Sequence, residues 1–211
     1  FLQLESLLFI YNSLPNLKFL PATRGWAGSP DFLAKIVELI LKEKPLFVLE
    51  AGSGVSSVII GLALKLNNYG ESVSLEHDIT YANITSENMG INELETKSVV
   101  KHSPLIEYNN LEQKWKWYDV NELKFSNKID MLIVDGPPRI TQELARFPAI
   151  PILHEYFSDK FTILLDDSKR DDEAIIIQKW IVFLETNKYK VKIENFINYE
   201  KGMTILQVYR C

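Results

Sequence analysis

The chain has 211 residues, 46% hydrophobic and 24% charged, with a formal net charge of -5 and a pI near 5.3. That length suits one compact domain with a sizeable core and would cramp two. An acidic balance, with no basic run longer than Lys169-Arg170, makes nucleic acid an unlikely partner, because phosphate neutralisation calls for a basic excess.

Cys211 is the only cysteine, which excludes an internal disulfide or a cysteine-rich metal site and fits a reducing compartment such as the cytoplasm. Residues 1–28 read as a helix and a lead-in punctuated by Pro21, Gly25 and Gly28, ahead of a main domain over 29–211. The apolar start, Phe1 to Leu20, is interrupted by Glu5, Asn12, Pro15, Asn16 and Lys18, so it offers no membrane segment. It also lacks the basic n-region of a signal peptide.

Ser29-Pro30-Asp31 has the order of an N-cap, a first-turn proline and an acid matched to the helix dipole. The apolar spacing of Phe32, Leu33, Ile36, Val37, Ile40 and Leu41 carries that helix to about Lys44. A strand over Leu46–Leu49 follows, then the loop Glu50-Ala-Gly-Ser-Gly54, a helix over about Val55–Leu66 and a turn at Asn67–Gly70. Ser72–Leu75 is a second strand, ending in Glu76-His77-Asp78, and a helix runs from about Thr80 to Met89. Ser98–Lys101 is a third strand, whereas Lys114–Asp119 reads as less regular.

Ile129–Val134 is a strand ending in Asp135-Gly-Pro-Pro138. A helical stretch is expected around Thr141–Tyr156, then a strand over Phe161–Leu165 ending in Asp166-Asp167, and a helix over Asp171–Glu185. Two β-like runs, Tyr189–Ile197 and Met203–Tyr209, close the chain. The alternation implies an α/β, Rossmann-like, doubly wound fold. We expect a mostly parallel seven-stranded sheet, an antiparallel C-terminal hairpin and helices on both faces.

Open α/β sheets bind ligands outside the carboxyl ends of their strands. Four strands here end in acids, at Glu50, Glu76, Asp135 and Asp166-Asp167. One such acid often just caps the next helix; four along one rim favour a binding site. Gly52 and Gly54 permit tight turning and close ligand approach. An ionised carboxylate such as Glu76 can accept two ribose hydroxyls.

Val48-Leu-Glu-Ala-Gly-Ser-Gly-Val-Ser56 resembles the first motif of class I S-adenosylmethionine-dependent methyltransferases, with its acid-x-Gly-x-Gly core. Ser74–Asp78 resembles their second acidic strand end and Ile129–Pro137 their fourth strand, and the resemblance covers roughly residues 22 to 186. Leu20–Trp26 and Asp135–Pro138 are most similar to a group of bacterial methyltransferase-like proteins.

The resemblance implies a cofactor, S-adenosylmethionine, and a small-molecule, hydroxyl-bearing acceptor. Glu50, Gly52, Ser53 and Gly54 would hold the methionine end and Ser56 its carboxylate. Glu76 would take the ribose, His77 would pack beside it, and the loop with Ser103 would edge the adenine. Asp135 would face the sulfonium and the acceptor, and Asp135 or Asp167 would serve as catalytic base.

Asp135, Asp166 and Asp167 also resemble the acids that hold a divalent cation in catechol-type O-methyltransferases. Such oxygen ligands suit Mg²⁺ or Ca²⁺. The chain departs from those enzymes in having Ser168 for an asparagine, Pro137-Pro138-Arg139 where a lysine base stands, and a shorter glycine loop. His102 and His154 are further base candidates, though a lone histidine is more often structural.

Trp26, Trp115, Trp117 and Tyr118 could wall a planar substrate or pack loops onto the core. Arg139 and Arg146 could bind an anionic group, against the plainer reading of solvated helix charges. A nicotinamide-dependent oxidoreductase would want glycine or alanine where Ser57 stands. A non-catalytic binding protein and an aminopropyltransferase share the architecture and stay open, as does the choice between monomer and homodimer.

Overall fold

The computed structural model describes residues 1–23, 27–109, 113–121, 123, 125 and 127–211. Arg24, Gly25 and Trp26 lie outside the described residues, so the reading of Trp26 and of the lead-in around it stops there. Among the described residues, no helix is long and apolar enough to cross a membrane.

Helices α1 (Leu2–Ser13) and α2 (Pro30–Glu43) precede strand β1 (Phe47–Ala51), helix α3 (Val55–Asn67) and strand β2 (Glu71–Glu76). Helix α4 (Ile79–Ile91) leads to β3 (Ser98–His102), β4 (Leu105–Tyr108), β5 (Trp115–Tyr118) and β6 (Ile129–Val134). Then come the short α5 (Ala149–Leu153), β7 (Phe157–Asp166), α6 (Asp171–Thr186), β8 (Tyr189–Phe196) and β9 (Met203–Arg210).

Seven strands form one sheet in the order β3-β2-β1-β6-β7-β9-β8. The first five pair in parallel; β9 runs antiparallel to both β7 and β8. The expected C-terminal hairpin is therefore present, with β9 inserted between its partner and β7.

The central strands read as unbroken apolar runs because both their faces are covered. Side chains alternate across the sheet. Phe47, Leu49 and Ala51 of β1, with Leu132 and Val134 of β6, pack toward α5 and α6. Val48, Met131, Ile133 and Leu164 pack toward α1, α2 and α3. Ile10 and Leu14 bring α1 into that second layer.

Ser29 does not cap α2 in the expected way; its hydroxyl donates to Asp31 instead, at 2.5 Å. Asp31, buried, also accepts from Gln3 Nε2 at 2.7 Å and from the Glu200 amide at 2.8 Å. One first-turn acid thus joins α1, α2 and the turn between β8 and β9.

Two expectations need correction. Trp115–Tyr118 is not irregular: it is β5, paired antiparallel with β4 as a separate two-stranded sheet. Trp115 and Trp117 point into the core while Lys116 is exposed, which is the period of two that marks a strand. The helix expected over residues 141–156 is also broken. A 3₁₀ turn spans Arg139–Thr141, Leu144 takes a left-handed φ of 52°, and only Ala149–Leu153 is α-helical. Pro148 and Pro151 lack an N–H, so they suit the first turn of a short helix better than the interior of a long one.

Candidate active site

The carboxyl ends of β1, β2, β6 and β7 meet along one rim of the sheet, where strand order reverses between β1 and β6. The Gly52 amide donates to Leu75 O and the Asp135 amide to Ala51 O, both at 3.0 Å, which locks three strand ends together. Gly52 adopts φ 114°, which side-chain-bearing residues rarely adopt. Across from it, a Cβ on Gly136 would stand 2.3 Å from the Tyr118 hydroxyl and 3.2 Å from Gly52 Cα. Two glycine backbones therefore face each other at the floor of the crevice.

A cavity of about 310 Å³ opens above them, lined by Ser53, Glu76, His77, Tyr81, Tyr118 and Asp135 as well as the two glycines. Its size is within the ordinary range for a small-ligand site. The Ser53 hydroxyl donates to Glu76 Oε2 at 2.8 Å, and the Asp78 amide donates to Oε1 at 3.1 Å. His77 Nδ1 lies 3.0 Å from Oε1, although no hydrogen bond is aligned there. These contacts hold the Glu76 carboxylate at the cavity edge.

Glu50 does not line this cavity. It is fully buried beside α3, where the Ser57 hydroxyl donates to Oε2 at 2.5 Å and accepts from the Gly54 amide at 3.1 Å. Burial pushes its carboxyl up to about 7, against the lowering effect of Ser56, Ser57 and Ser74. Oε1 has no hydrogen-bond partner among the described residues. Ser56 is buried on the Glu50 side. Ser103 donates its amide to Glu76 O at 2.7 Å but opens onto a different hollow, beside His102 and Pro104. Glu76, His77, Asp135, Gly52 and Ser53 are thus brought together, whereas Gly54, Glu50, Ser56 and Ser103 are not on the cavity wall.

Beyond Asp135 the acids gather around one arginine. Arg146, only 4% exposed, is not the solvated charge that the sequence suggested. Its Nη2 donates to Asp135 O at 2.9 Å, to Asp135 Oδ1 at 3.2 Å and to Asp167 Oδ2 at 2.7 Å. Its Nη1 donates to Asp166 O at 2.9 Å and lies 3.5 Å from Glu173. Burial opposes its charge, but Asp135, Asp167, Glu173 and Asp166 outweigh burial and hold it protonated.

Burial also raises the Asp135 carboxyl, to about 6, with Arg146 opposing and Asp167 reinforcing the rise. Asp166 is pushed well above the usual carboxylate range by burial and by Asp135 and Asp167, and neither of its oxygens has a partner among the described residues. Asp167 adopts φ 60° and also pairs with Arg170 at 2.9 Å.

A second cavity, of about 550 Å³, lies on the far side of Asp135. Asp135 and Pro138 belong to both walls. Tyr118 and Arg146 are the residues that sequence reasoning weighed and undervalued. Trp115 and Trp117 are core side chains, and His154 packs edge-on against Phe183 at 5.5 Å.

No protein-family model and no curated protein matches the sequence. Solved structures do match in shape. An O-methyltransferase from Bacillus cereus, in complex with SAH, superposes with a TM-score of 0.63 at 13% identity, over 97% of this chain and 90% of its own. An O-methyltransferase from Streptomyces achromogenes involved in tomaymycin synthesis, in complex with SAM, gives 0.61 at 11% identity, over 95% and 89%. A ribosomal protein L11 methylase from Lactobacillus delbrueckii subsp. bulgaricus gives 0.53 at 14% identity, over 85% and 79%. At such identities the likeness is one of fold, and the fold is that of the class I S-adenosylmethionine-dependent methyltransferases.

Proposed function

We propose that the chain transfers a methyl group from S-adenosylmethionine to a hydroxyl of a small-molecule acceptor. The observation that carries this reading is Asp135, which forms a wall common to the glycine-floored cavity and the larger one beside it. A cofactor on one side and an acceptor on the other would meet at its carboxylate. The solved structures holding SAM or SAH on the same fold support the choice of cofactor.

The residues present fit that cofactor. The backbones of Gly52 and Gly136 approach too closely for a Cβ on Gly136, so the cavity floor carries no side chain at these two positions. Glu76, held at the cavity edge, offers a carboxylate to the ribose. When bound, S-adenosylmethionine supplies a sulfonium methyl: the acceptor oxygen forms the new bond to carbon as the carbon–sulfur bond breaks with its electron pair to sulfur. The protein's share is to align the two reactants and accept the hydroxyl proton. Asp135 Oδ1 is held by Arg146, while Oδ2 has no bonding partner among the described residues and is the atom that takes the proton.

Calorimetric titration with S-adenosylhomocysteine, the demethylated product, tests the cofactor site. Binding is expected, and Glu76→Gln should weaken it by about 1.5–3 kcal/mol, roughly 10- to 150-fold, the worth of hydrogen bonds to a charged group. No binding to the native chain would end the proposal. Product analysis with methyl-labelled S-adenosylmethionine then separates methyl transfer from binding without turnover.

Asp135, Asp166 and Asp167 bring one oxygen each within 4.8 Å of one another, close enough for a single ion. The Arg146 guanidinium, however, already sits between Asp135 and Asp167. It supplies there the positive charge that a metal would bring, so the arrangement does not fit a divalent cation. Methyl transfer is accordingly expected to persist in a chelator, with no heat of Mg²⁺ or Ca²⁺ binding to the protein loaded with S-adenosylhomocysteine. Metal-dependent turnover would contradict that reading.

A further inference from the structure

The cavity on the acceptor side carries a charge pattern that methyl transfer alone does not require. Arg139, Arg146, Arg170 and Lys201 line it, together with Asp135 and Asp167. The Arg139 and Arg170 side chains are 63% and 40% exposed, whereas Asp172, Asp167 and Glu173, the acids they pair with, are at most 15% exposed. The paired acids are largely buried while two guanidinium heads reach outward, and around the cavity four cations face two acids. What the cavity presents is positive, in a chain whose overall charge is -5.

These cations also keep donors in hand. Arg139 reaches Asp172 through Nε at 3.1 Å and Nη2 at 3.5 Å, which leaves Nη1. Arg170 engages its acids through Nη1 alone, leaving Nε and Nη2 without partners among the described residues. Lys201 uses one of its three N–H donors on Ala27 O, at 2.9 Å. Two guanidinium groups and an ammonium around one space suit a planar carboxylate or a phosphate monoester, which accept several charge-assisted hydrogen bonds at once.

We infer that the acceptor is an anionic small molecule, whose carboxylate or phosphate is held by Arg139, Arg170 and Lys201 while its hydroxyl meets Asp135. The assignment rests on the methyl-transfer reading of the same site. The anion takes no part in bond making; it fixes the acceptor's orientation, and the arginines are positioning residues. Arg146 stays with the buried acids and is not a ligand for it.

The test is a set of titrations of the full chain loaded with S-adenosylhomocysteine, using inorganic phosphate, benzoate and the neutral benzamide as probes. One anion or both should bind saturably and benzamide should not. Tighter phosphate binding assigns a phosphoryl acceptor, and tighter benzoate binding a carboxylic one. Arg139→Gln and Arg170→Gln should each weaken the anion about tenfold, the share of one charge-assisted hydrogen bond. Their affinity for S-adenosylhomocysteine should be unchanged, which also certifies that they fold. Arg139 is largely exposed, so its variant remains informative if Arg170→Gln is unstable.

Absence of saturable anion binding, or binding indifferent to both substitutions, would overturn the inference and leave the cofactor reading standing. Failure of the native chain to bind S-adenosylhomocysteine would overturn both.

Discussion

Replacing Arg146 by methionine is expected to cost about 3–5 kcal/mol of stability, the penalty for removing one partner of a buried ion pair. Against a total of roughly 5–15 kcal/mol for a natural domain, that is a large share of the stability. The guanidinium satisfies two backbone carbonyls, Asp135 O and Asp166 O, besides the carboxylates of Asp135 and Asp167. Methionine fills a similar volume but donates nothing, so these acceptors and several negative charges would be buried together without compensation.

The loss should also depend on pH, with a defined sign. In the folded protein the Asp135 carboxyl is already raised from 3.8 to about 6, with Arg146 pulling it down, and Asp166 is raised further. Without the arginine both rise more. The folded variant then binds protons that the unfolded chain, with ordinary aspartates, has released, so its stability falls as pH rises through this range. Urea denaturation at pH 5 and pH 8 measures it. The variant should be closer to wild type at pH 5. A loss below about 1 kcal/mol, the scale of an exposed ion pair, would show that Arg146 is not the keystone of the acid cluster.

Arg146 also marks where the sequence stops being legible. The strands and the sheet's mostly parallel character follow from apolar runs such as Ile129–Val134 and from the acids that end them, because periodicity and strand-end polarity are local properties. Glu76, Asp135 and the Gly52 turn were identifiable for that reason. Arg146 was not, because its partners come from β6, β7 and α6 and are remote in sequence. A lone arginine in an irregular segment carries no local pattern that announces burial.

β5 was missed for a different reason. Its four residues alternate correctly, but so short a run has no strand character until β4 pairs with it. Tyr118 follows from that pairing: its ring is set at the cavity wall by a strand whose other aromatics, Trp115 and Trp117, enter the core. Glu50 shows the opposite limit. Its place at the end of β1 was clear from sequence, but its complete burial beneath Ser56 and Ser57 depends on how α3 closes over it.

Asp135→Asn is expected to lower kcat by roughly 10²- to 10⁴-fold, the range for losing a positioned proton acceptor. Affinity for S-adenosylhomocysteine should change little, since the glycine floor and Glu76 are untouched. Asparagine keeps the shape and an oxygen for Arg146, and that arginine retains Asp167 and both backbone carbonyls, so the fold should survive.

The native pH profile supplies a second readout. A base raised to about 6 is mostly ionised at neutral pH, so native kcat/KM should climb through pH 6 and level off above it. The residual activity of Asp135→Asn should lack that limb. If the limb persists in the variant, the proton goes elsewhere. Asp167 is the weaker alternative, because both Arg146 and Arg170 already occupy its Oδ2 and it lines the larger cavity only, whereas Asp135 lines both. Loss of activity with the limb removed and the cofactor still bound is a result that a merely structural Asp135 would not produce.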